Sequence, residues 1–165
     1  MADLLLDIRK RLRLDTKTGQ MFWTSPSKYH PDLLGKEAGS LCSTTHGKQY
    51  WVIQIDGIKY KRGRLVFFVA NGRMPSPCID HANGNSLDDR PSNLREATVM
   101  QNSWNHKSRK KRLRLPMGVR RYKSGNFGAR ISFRGVQIHL GSYASADVAE
   151  KVYQLKRKEL YGQFA

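Results

Sequence analysis

Residues 79–98 read IDHANGNSLDDRPSNLREAT, and Gln101-Asn102 follow after two further positions. This stretch is the densest group of catalytic residue types in the chain. It predicts a short strand that ends near Asp80-His81, a long polar loop, a second short strand and a helix. Thr98 and Gln101, three residues apart, form a capping box, so we expect the helix to begin here and to continue to about residue 105.

Hydrolysis of a phosphodiester requires an activated water, a cation that takes the charge building on oxygen, and a rigid holder for both. Histidine is the natural general base at neutral pH, so His81 is the candidate base. Asp80 and Asn102 offer oxygen ligands, and a hard cation such as Mg²⁺ needs only one or two protein oxygens besides water and substrate phosphate. His106, one helical turn later, and Asn105 are the alternatives to Asn102.

The order Asp80-His81 imposes a geometric condition on this site. Adjacent strand residues point to opposite faces, so both side chains can serve one phosphate only if the strand ends or bends there. The glycine-containing loop after His81 favours such an end.

Asp80-His81, Gly84-Asn85, the Asn93-Leu94-Arg95 triplet and Gln101-Asn102 together resemble the HNH nuclease motif of phage and intron homing endonucleases. The resemblance implies a ββα-metal fold with a core at about residues 76–105. It also implies that His81, Asp80 and Asn102 are catalytic, with Asp80 and Asn102 holding Mg²⁺ or Mn²⁺. Asn93 is a structural residue that ties the loop together in that family. The implied reaction cleaves double-stranded DNA and leaves 5′-phosphate and 3′-hydroxyl ends.

The chain departs from this family in one place. Many members carry His-Arg-Leu-Val in the helix before the motif, where this chain has Gly63-Arg64-Leu65-Val66. If that histidine takes part in catalysis or packs the site, activity is weakened here, although the Asp-His-Asn core does not require it. A non-catalytic, sequence-specific DNA-binding regulator is therefore the alternative function.

The charge of the chain points to a polyanion. It carries 30 Lys and Arg against 13 Asp and Glu among 165 residues, a formal charge of +17. Residues 106–165 hold +12 of this and the first 105 residues only +5. A hydrophobic content of 39% excludes a disordered basic tail. Lys61, Arg62 and Arg73 are assigned to a general basic rim, and an RNA-binding or ribosome-associated protein remains an alternative that rests on charge alone.

No apolar run approaches the ~18 residues of a membrane-spanning helix. The first residues lack the basic start and long apolar run of a signal peptide, so we expect a cytoplasmic protein of a phage-infected or bacterial cell, with no membrane partner. Cys42 and Cys78 lie far apart without a Cys-x-x-Cys pair, which disfavours a zinc site and favours two buried free thiols.

Three local patterns predict elements before the motif. Leu5, Ile8 and Leu12 lie at helical spacing, which predicts a helix over residues 3–14. Asp56-Gly57 between the apolar runs 50–55 and 58–60 predicts a hairpin. The apolar run 64–71, followed by Gly72, predicts a buried helix that ends at the glycine.

The C-terminal part begins with HKSRKKRLRLP at residues 106–116, six cations in eleven positions. Such a run repels itself, which predicts a linker that tethers the protein to phosphate, with a nuclear localisation signal as the alternative. After it, residues 119–122, 127–133 and 136–143 read as three strands, and Ser145 opens a helix to about residue 160. Alternation places Phe127, Ala129, Ile131 and Phe133 on one face with Val136, Ile138 and Leu140. A helical stripe of Val148, Ala149, Val152, Tyr153 and Leu160 would cover that face.

Gly118-Val119-Arg120, the Gly-x-aromatic-x-Ala-x-Ile run at 125–131, Leu140-Gly141 and the terminal Gly-x-aromatic-Ala are similar to the ethylene-response-factor (Apetala-type) DNA-binding domain. That resemblance implies a three-stranded antiparallel sheet, packed on one helix, that lies in the major groove. The residues at its DNA face are Arg120, Tyr122, Arg130, Ser132, Gln137 and His139. The plant members of that family have an acidic residue at the position of Arg130 and a tryptophan at the position of His139. Their DNA target sequence therefore cannot be assigned to this chain.

We therefore expect an α+β protein of two domains. Residues 1–105 form an HNH endonuclease domain, residues 106–116 a basic linker and residues 117–165 an Apetala-type domain. The expected partner is double-stranded DNA and the expected cofactor is Mg²⁺ or Mn²⁺. The oligomeric state is open, with a monomer favoured.

Overall fold

A computed structural model describes residues 2–45, 47–105 and 115–165, apart from the side chains of residues 2–5. The chain divides into two compact units, Met1–Asn102 and Ser103–Ala165. Residues 106–114 of the predicted linker, with the alternative ligand His106, lie outside the described residues. The mixed composition of helices and small antiparallel sheets confirms the α+β class.

The N-terminal unit begins with a helix that is shorter than the sequence predicts. Helix α1 spans Ala2–Arg11, and strand β1 (Leu12–Leu14) pairs antiparallel with β2 (Met21–Trp23). The predicted continuation of the helix to residue 14 is therefore wrong. Leu12 lies opposite Trp23, and both are buried, so burial against a distant segment overrides helical spacing at this position.

A three-stranded antiparallel sheet follows, in the order β3 (Ser40–Ser43), β4 (Gln49–Ile55) and β5 (Ile58–Lys61). The predicted hairpin at Asp56-Gly57 is confirmed. Both residues have positive φ, 49° and 82°, as a tight two-residue hairpin turn requires. Ile53 and Ile55 are buried in the hydrophobic core of this unit.

Helix α2 (Arg62–Asn71) starts directly after β5, and its apolar residues from Leu65 to Phe68 complete the core. It ends at Gly72, whose N–H donates to the carbonyl of Phe68 at 2.8 Å, which confirms the predicted glycine end. The helix begins two residues earlier than expected, and this places Arg62 and Gly63 inside its buried first turn.

The motif stretch folds as two strands and a helix. Strand β6 (Cys78–His81) pairs antiparallel with β7 (Leu94–Ala97), and α3 (Val99–Trp104) follows. The capping box is confirmed: the Gln101 N–H donates to Thr98 Oγ1 at 3.1 Å, and the Thr98 N–H donates to Gln101 Oε1 at 2.8 Å. Both cysteines are free, as expected, but each is half-buried, so the expectation that they are buried is wrong.

The C-terminal unit is a three-stranded antiparallel sheet beside one helix. Its strands are β8 (Val119–Arg121), β9 (Phe127–Phe133) and β10 (Val136–Tyr143), in the order β10-β9-β8. Helix α4 (Ala146–Tyr161) begins at Ser145, whose hydroxyl accepts the Val148 N–H at 3.3 Å. No helix in the described part of the chain is long and apolar enough to span a membrane.

The predicted apolar face of this sheet is buried at Ala129 and Ile131 and half-buried at Phe127, Phe133, Ile138 and Leu140. Ala129, Ile131, Ala149 and Tyr153 are at most 5% exposed. Val136 and Val148 are exceptions, with 63% and 45% exposed. Val136 lies opposite Phe133, on the predicted face, so the face is right but the expected burial of these two residues is wrong. Both lie at the start of an element, Val136 beside the hairpin turn and Val148 in the first turn of α4, where packing is incomplete.

Candidate functional site

His81, the last residue of β6, contacts a buried carboxylate. Its Nε2 lies 2.9 Å from Asp89 Oδ1, and Asp89 is 2% exposed. The second carboxylate oxygen of Asp89 accepts the Nε–H of Arg62 at 2.8 Å. Arg62 Nη1 in turn donates to Glu37 Oε1 at 2.9 Å. We call this series of four residues, Glu37, Arg62, Asp89 and His81, the carboxylate relay.

The carboxylate relay corrects one sequence-based assignment and adds residues that sequence reasoning missed. Arg62 is 3% exposed and paired with two carboxylates, so it does not belong to a basic rim. Asp89 and Glu37 had no assigned role. The one available signal was the Asp88-Asp89 pair in the polar loop, where Asp88 is bound by Arg90 and Asp89 by Arg62. The Arg90 guanidinium lowers the pKa of Asp88 to about 2.

Asp80 lies on the opposite face of the β6–β7 ribbon from His81. In the register of the two strands, Asp80 is opposite Arg95 and His81 is opposite Leu94. The Asp80 carboxylate is 4% exposed, and Arg95 donates to its Oδ2 from Nε at 2.8 Å and from Nη2 at 2.7 Å. Strand β6 ends at His81, which is one of the two conditions, an end or a bend, under which both side chains could serve one phosphate.

Asn102 lies in α3, half-buried, with its backbone N–H bonded to the Thr98 carbonyl at 2.9 Å. Asn105 follows the last residue of this helix.

Asn93 joins the two sides of the polar loop. Its Oδ1 accepts the Asn83 N–H at 3.0 Å, and its Nδ2 donates to the Asp88 carbonyl at 2.7 Å. Asn93 is 8% exposed. These bonds are what a loop-tying role requires.

Gly63 lies against the carboxylate relay. A Cβ atom at this position would be 2.8 Å from Asp89 Oδ1 and 3.6 Å from His81 Nε2. The position where many HNH proteins carry histidine therefore has no room for a side chain here while Asp89 holds His81.

The donor set suits a hard cation. Asp80 offers carboxylate oxygen and Asn102 amide oxygen, and Mg²⁺ can be held by one or two such groups with water and phosphate in the remaining positions. Among the residues that the structure describes, no group of three or more His, Cys, Asp or Glu side chains could hold a metal ion. A cation at Asp80 would share its carboxylate with the Arg95 guanidinium.

The C-terminal sheet has a polar outer face. Arg120, Arg130, Ser132, Gln137 and His139 are exposed on it. Gln137 lies opposite Ser132 and His139 opposite Arg130, so four of these side chains are cross-strand neighbours. Tyr122 is half-buried, with its ring over Gly128 and the Arg120 guanidinium 5.3 Å from the ring centroid. The structure thus presents on one face the residues expected there from sequence.

Comparison with known proteins gives a family model and two relatives that match part of the chain. A family model described as HNH endonuclease matches residues 60–104, which contain α2, β6, β7 and α3. The uncharacterized HNH endonuclease L560 of Acanthamoeba polyphaga mimivirus is 30% identical over 121 residues, 72% of this chain and 63% of the relative. This chain thus spans just under two thirds of that relative. Protein 3.8 of Escherichia phage T7 is 35% identical over 107 residues, 64% of this chain and 88% of the relative. No solved structure matches significantly. The family model, together with the ββα fold of the same residues, shows that residues 60–104 form an HNH endonuclease domain.

Proposed function

We propose that this protein is a metal-dependent endonuclease that hydrolyses phosphodiester bonds in double-stranded DNA. Residues 1–105 are the catalytic domain, residues 106–116 a basic linker and residues 117–165 an Apetala-type DNA-binding domain. The observation that carries the proposal is the carboxylate contact of His81: the family-matched ββα segment holds its one candidate base against a buried acid, 2.9 Å away.

In the proposed reaction, the oxygen of a water molecule bonds to phosphorus and the bond from phosphorus to the 3′ oxygen breaks. His81 takes the proton that the water loses, and the 3′ oxygen leaves with the electron pair of the broken bond and is then protonated to a hydroxyl. The other product end keeps the 5′ phosphate.

Asp80 and Asn102 would hold Mg²⁺ or Mn²⁺, which supplies neutralisation of the charge that develops on the phosphate and leaving oxygens. Arg95 donates twice to Oδ2 of Asp80, so a bound cation would share this carboxylate with the guanidinium. Asn93 holds the loop between the two strands and thereby keeps Asp89 within hydrogen-bond distance of His81.

The outer face of the C-terminal sheet would bind the DNA duplex. Arginine can pair with guanine edges or phosphate, and glutamine can pair with adenine. The exposed residues Arg120, Arg130, Ser132, Gln137 and His139, with Tyr122 beside them, offer these groups on one face. The linker cations would add binding to phosphate without sequence preference. Both matched relatives are viral, which supports action inside an infected cell.

The test is cleavage of supercoiled plasmid with Mg²⁺ or Mn²⁺. We expect nicking or cutting by the wild type, none in EDTA, and a loss of about 10²- to 10⁴-fold in His81→Ala because a positioned base contributes that much. Asn102→Ala should raise the metal concentration needed. His30→Ala, an exposed histidine outside the motif, is the matched control and should cut normally.

Two results would contradict the proposal. Cleavage by His81→Ala at the wild-type rate would show that His81 is not the general base. A wild type that stays inert with every metal on cognate phage and host DNA removes the enzyme, and duplex binding without cutting then supports the DNA-binding regulator. A comparison of duplex DNA with RNA at ~0.15 M salt decides between those partners, because nonspecific phosphate binding weakens steeply with salt.

A further inference from the structure

Asp89 is a buried ionisable group that the proposed reaction does not use. It is 2% exposed, and its partner Arg62 is 3% exposed. Burying such a pair is costly unless each charge is paired and hydrogen-bonded, and here Arg62 pairs with both Asp89 and Glu37. Glu37 also accepts from Gln20 Nε2 at 3.1 Å. Residues from three segments that are distant in sequence, Gln20, Glu37 and Arg62, therefore hold the Asp89 carboxylate directly or through one another.

Two glycines leave the space that Asp89 occupies. At Gly19 a Cβ atom would be 2.3 Å from the Asp89 carbonyl carbon, so another side chain there would displace the backbone of residue 89. At Gly63 a Cβ atom would be 2.8 Å from the carboxylate oxygen that contacts His81. One glycine thus admits the main chain of Asp89 and the other admits its side chain.

We propose that Asp89 is the positioning residue for His81. Its Oδ1 accepts the Nε2–H of the imidazole, which fixes the ring orientation and keeps the proton of the neutral ring on Nε2. The tautomer of a histidine is set by the hydrogen bond that one nitrogen makes, so Nδ1 becomes the nitrogen with the lone pair that takes the proton from water. Arg62 and Glu37 hold the carboxylate in place.

The expected effect on cleavage rests on the proposed function, but the tautomer of His81 does not. The ring tautomer exists in the protein without metal or DNA. It is read from ¹⁵N NMR spectra of the histidine side chains, with His81 identified by the loss of its signals in His81→Gln. A nuclease assay and a tautomer measurement can therefore fail separately.

Two variants test the inference. Asp89→Asn removes the charge but keeps the size of the side chain. Gly63→Ala removes no charged group and suits a helix better than glycine, while its Cβ must displace the Asp89 carboxylate, so it tests the His81 contact without the charge change of Asp89→Asn. Asp32→Asn, an exposed carboxylate on the same unit, is the control.

In the wild type we expect the His81 proton on Nε2. In both variants we expect a mixture of tautomers and a single-turnover cleavage rate lower by about 10- to 100-fold, a part of what a positioned base contributes. DNA affinity should be unchanged, since Asp89 is buried. A wild-type tautomer and rate in folded Gly63→Ala and Asp89→Asn would overturn the inference, as would a His81 proton on Nδ1 in the wild type. Should the wild type cut no DNA, the tautomer result still decides it.

Discussion

The Asp80–Arg95 pair offers a test of the proposed metal site that does not depend on cleavage. Arg95 donates twice to Asp80 Oδ2, and the two side chains are 18% and 4% exposed. Arg95→Met removes these two donors from the buried carboxylate. Breaking a buried pair in this way costs about 3–5 kcal/mol, and the partial exposure of Arg95 favours the lower value.

For a unit of this size, 1 kcal/mol shifts Tm by about 4–8 °C, so a loss of ~3 kcal/mol lowers Tm by at least ~12 °C. A cation bound to Asp80 should return part of this. Mg²⁺ at ten times its Kd stabilises the folded state by about 1.4 kcal/mol. The gain should be larger in Arg95→Met than in the wild type, where the guanidinium already holds the same carboxylate.

The assay is urea unfolding in EDTA and in Mg²⁺. Lys36→Met, which removes the cation of an exposed pair with Asp32, is the control and should change stability by less than about 1 kcal/mol. Asp80→Asn combined with Arg95→Met should recover stability and lose the response to Mg²⁺. An equal Mg²⁺ response in the wild type, Arg95→Met and this double variant would refute Asp80 as a ligand.

Three further predictions concern other parts of the chain. The Arg73 guanidinium lowers the pKa of Glu96 from 4.5 to about 2; the ionised Glu96 therefore stabilises the fold above pH ~4.5 and this is lost as the pH falls to about 2. Urea midpoints of Glu96→Gln should thus lie below those of the wild type at pH 6 and converge with them near pH 2. Arg130→Ala should weaken duplex binding by about 1–3 kcal/mol if Arg130 contacts a base, or lower the slope of log binding constant against log salt concentration by about 1 if it contacts phosphate. Fluorescence anisotropy in a salt series measures both, and Lys158→Ala on α4 should change neither. Binding by Arg130→Ala equal to that of the wild type would contradict a DNA face. Leu65→Ala, fully buried in α2, should cost about 2–5 kcal/mol in urea unfolding, and a smaller loss would mean that the core collapses around the cavity.

Local patterns were sufficient wherever an element depends on neighbours in the chain. The hairpin at Asp56-Gly57, the glycine end of α2 and the capping box of Thr98 and Gln101 each involve bonds within about four residues. Alternation in the C-terminal strands likewise placed Arg130 on the exposed face and Ile131 on the buried one. Such features are encoded by propensity and period, which a single sequence displays directly.

Contacts between distant segments could not be obtained in this way. Leu12 has helical spacing, yet it pairs with Trp23 in a strand, because burial against that partner is worth more than one further helical turn. Val136 has the right period for the covered face, yet it is exposed because the end of a strand has no neighbour to cover it.

The motif alone was enough to indicate an HNH endonuclease domain and to name the candidate base His81 and the candidate ligands Asp80 and Asn102, since all lie in one short segment with a recognisable spacing. Folding decided what surrounds that base. Asp89, Arg62 and Glu37 meet at His81 because the start of α2, the polar loop and the segment before β3 pack together, and no spacing along the chain specifies that packing. The same packing accounts for glycine at position 63, since a side chain there would occupy the place of the Asp89 carboxylate.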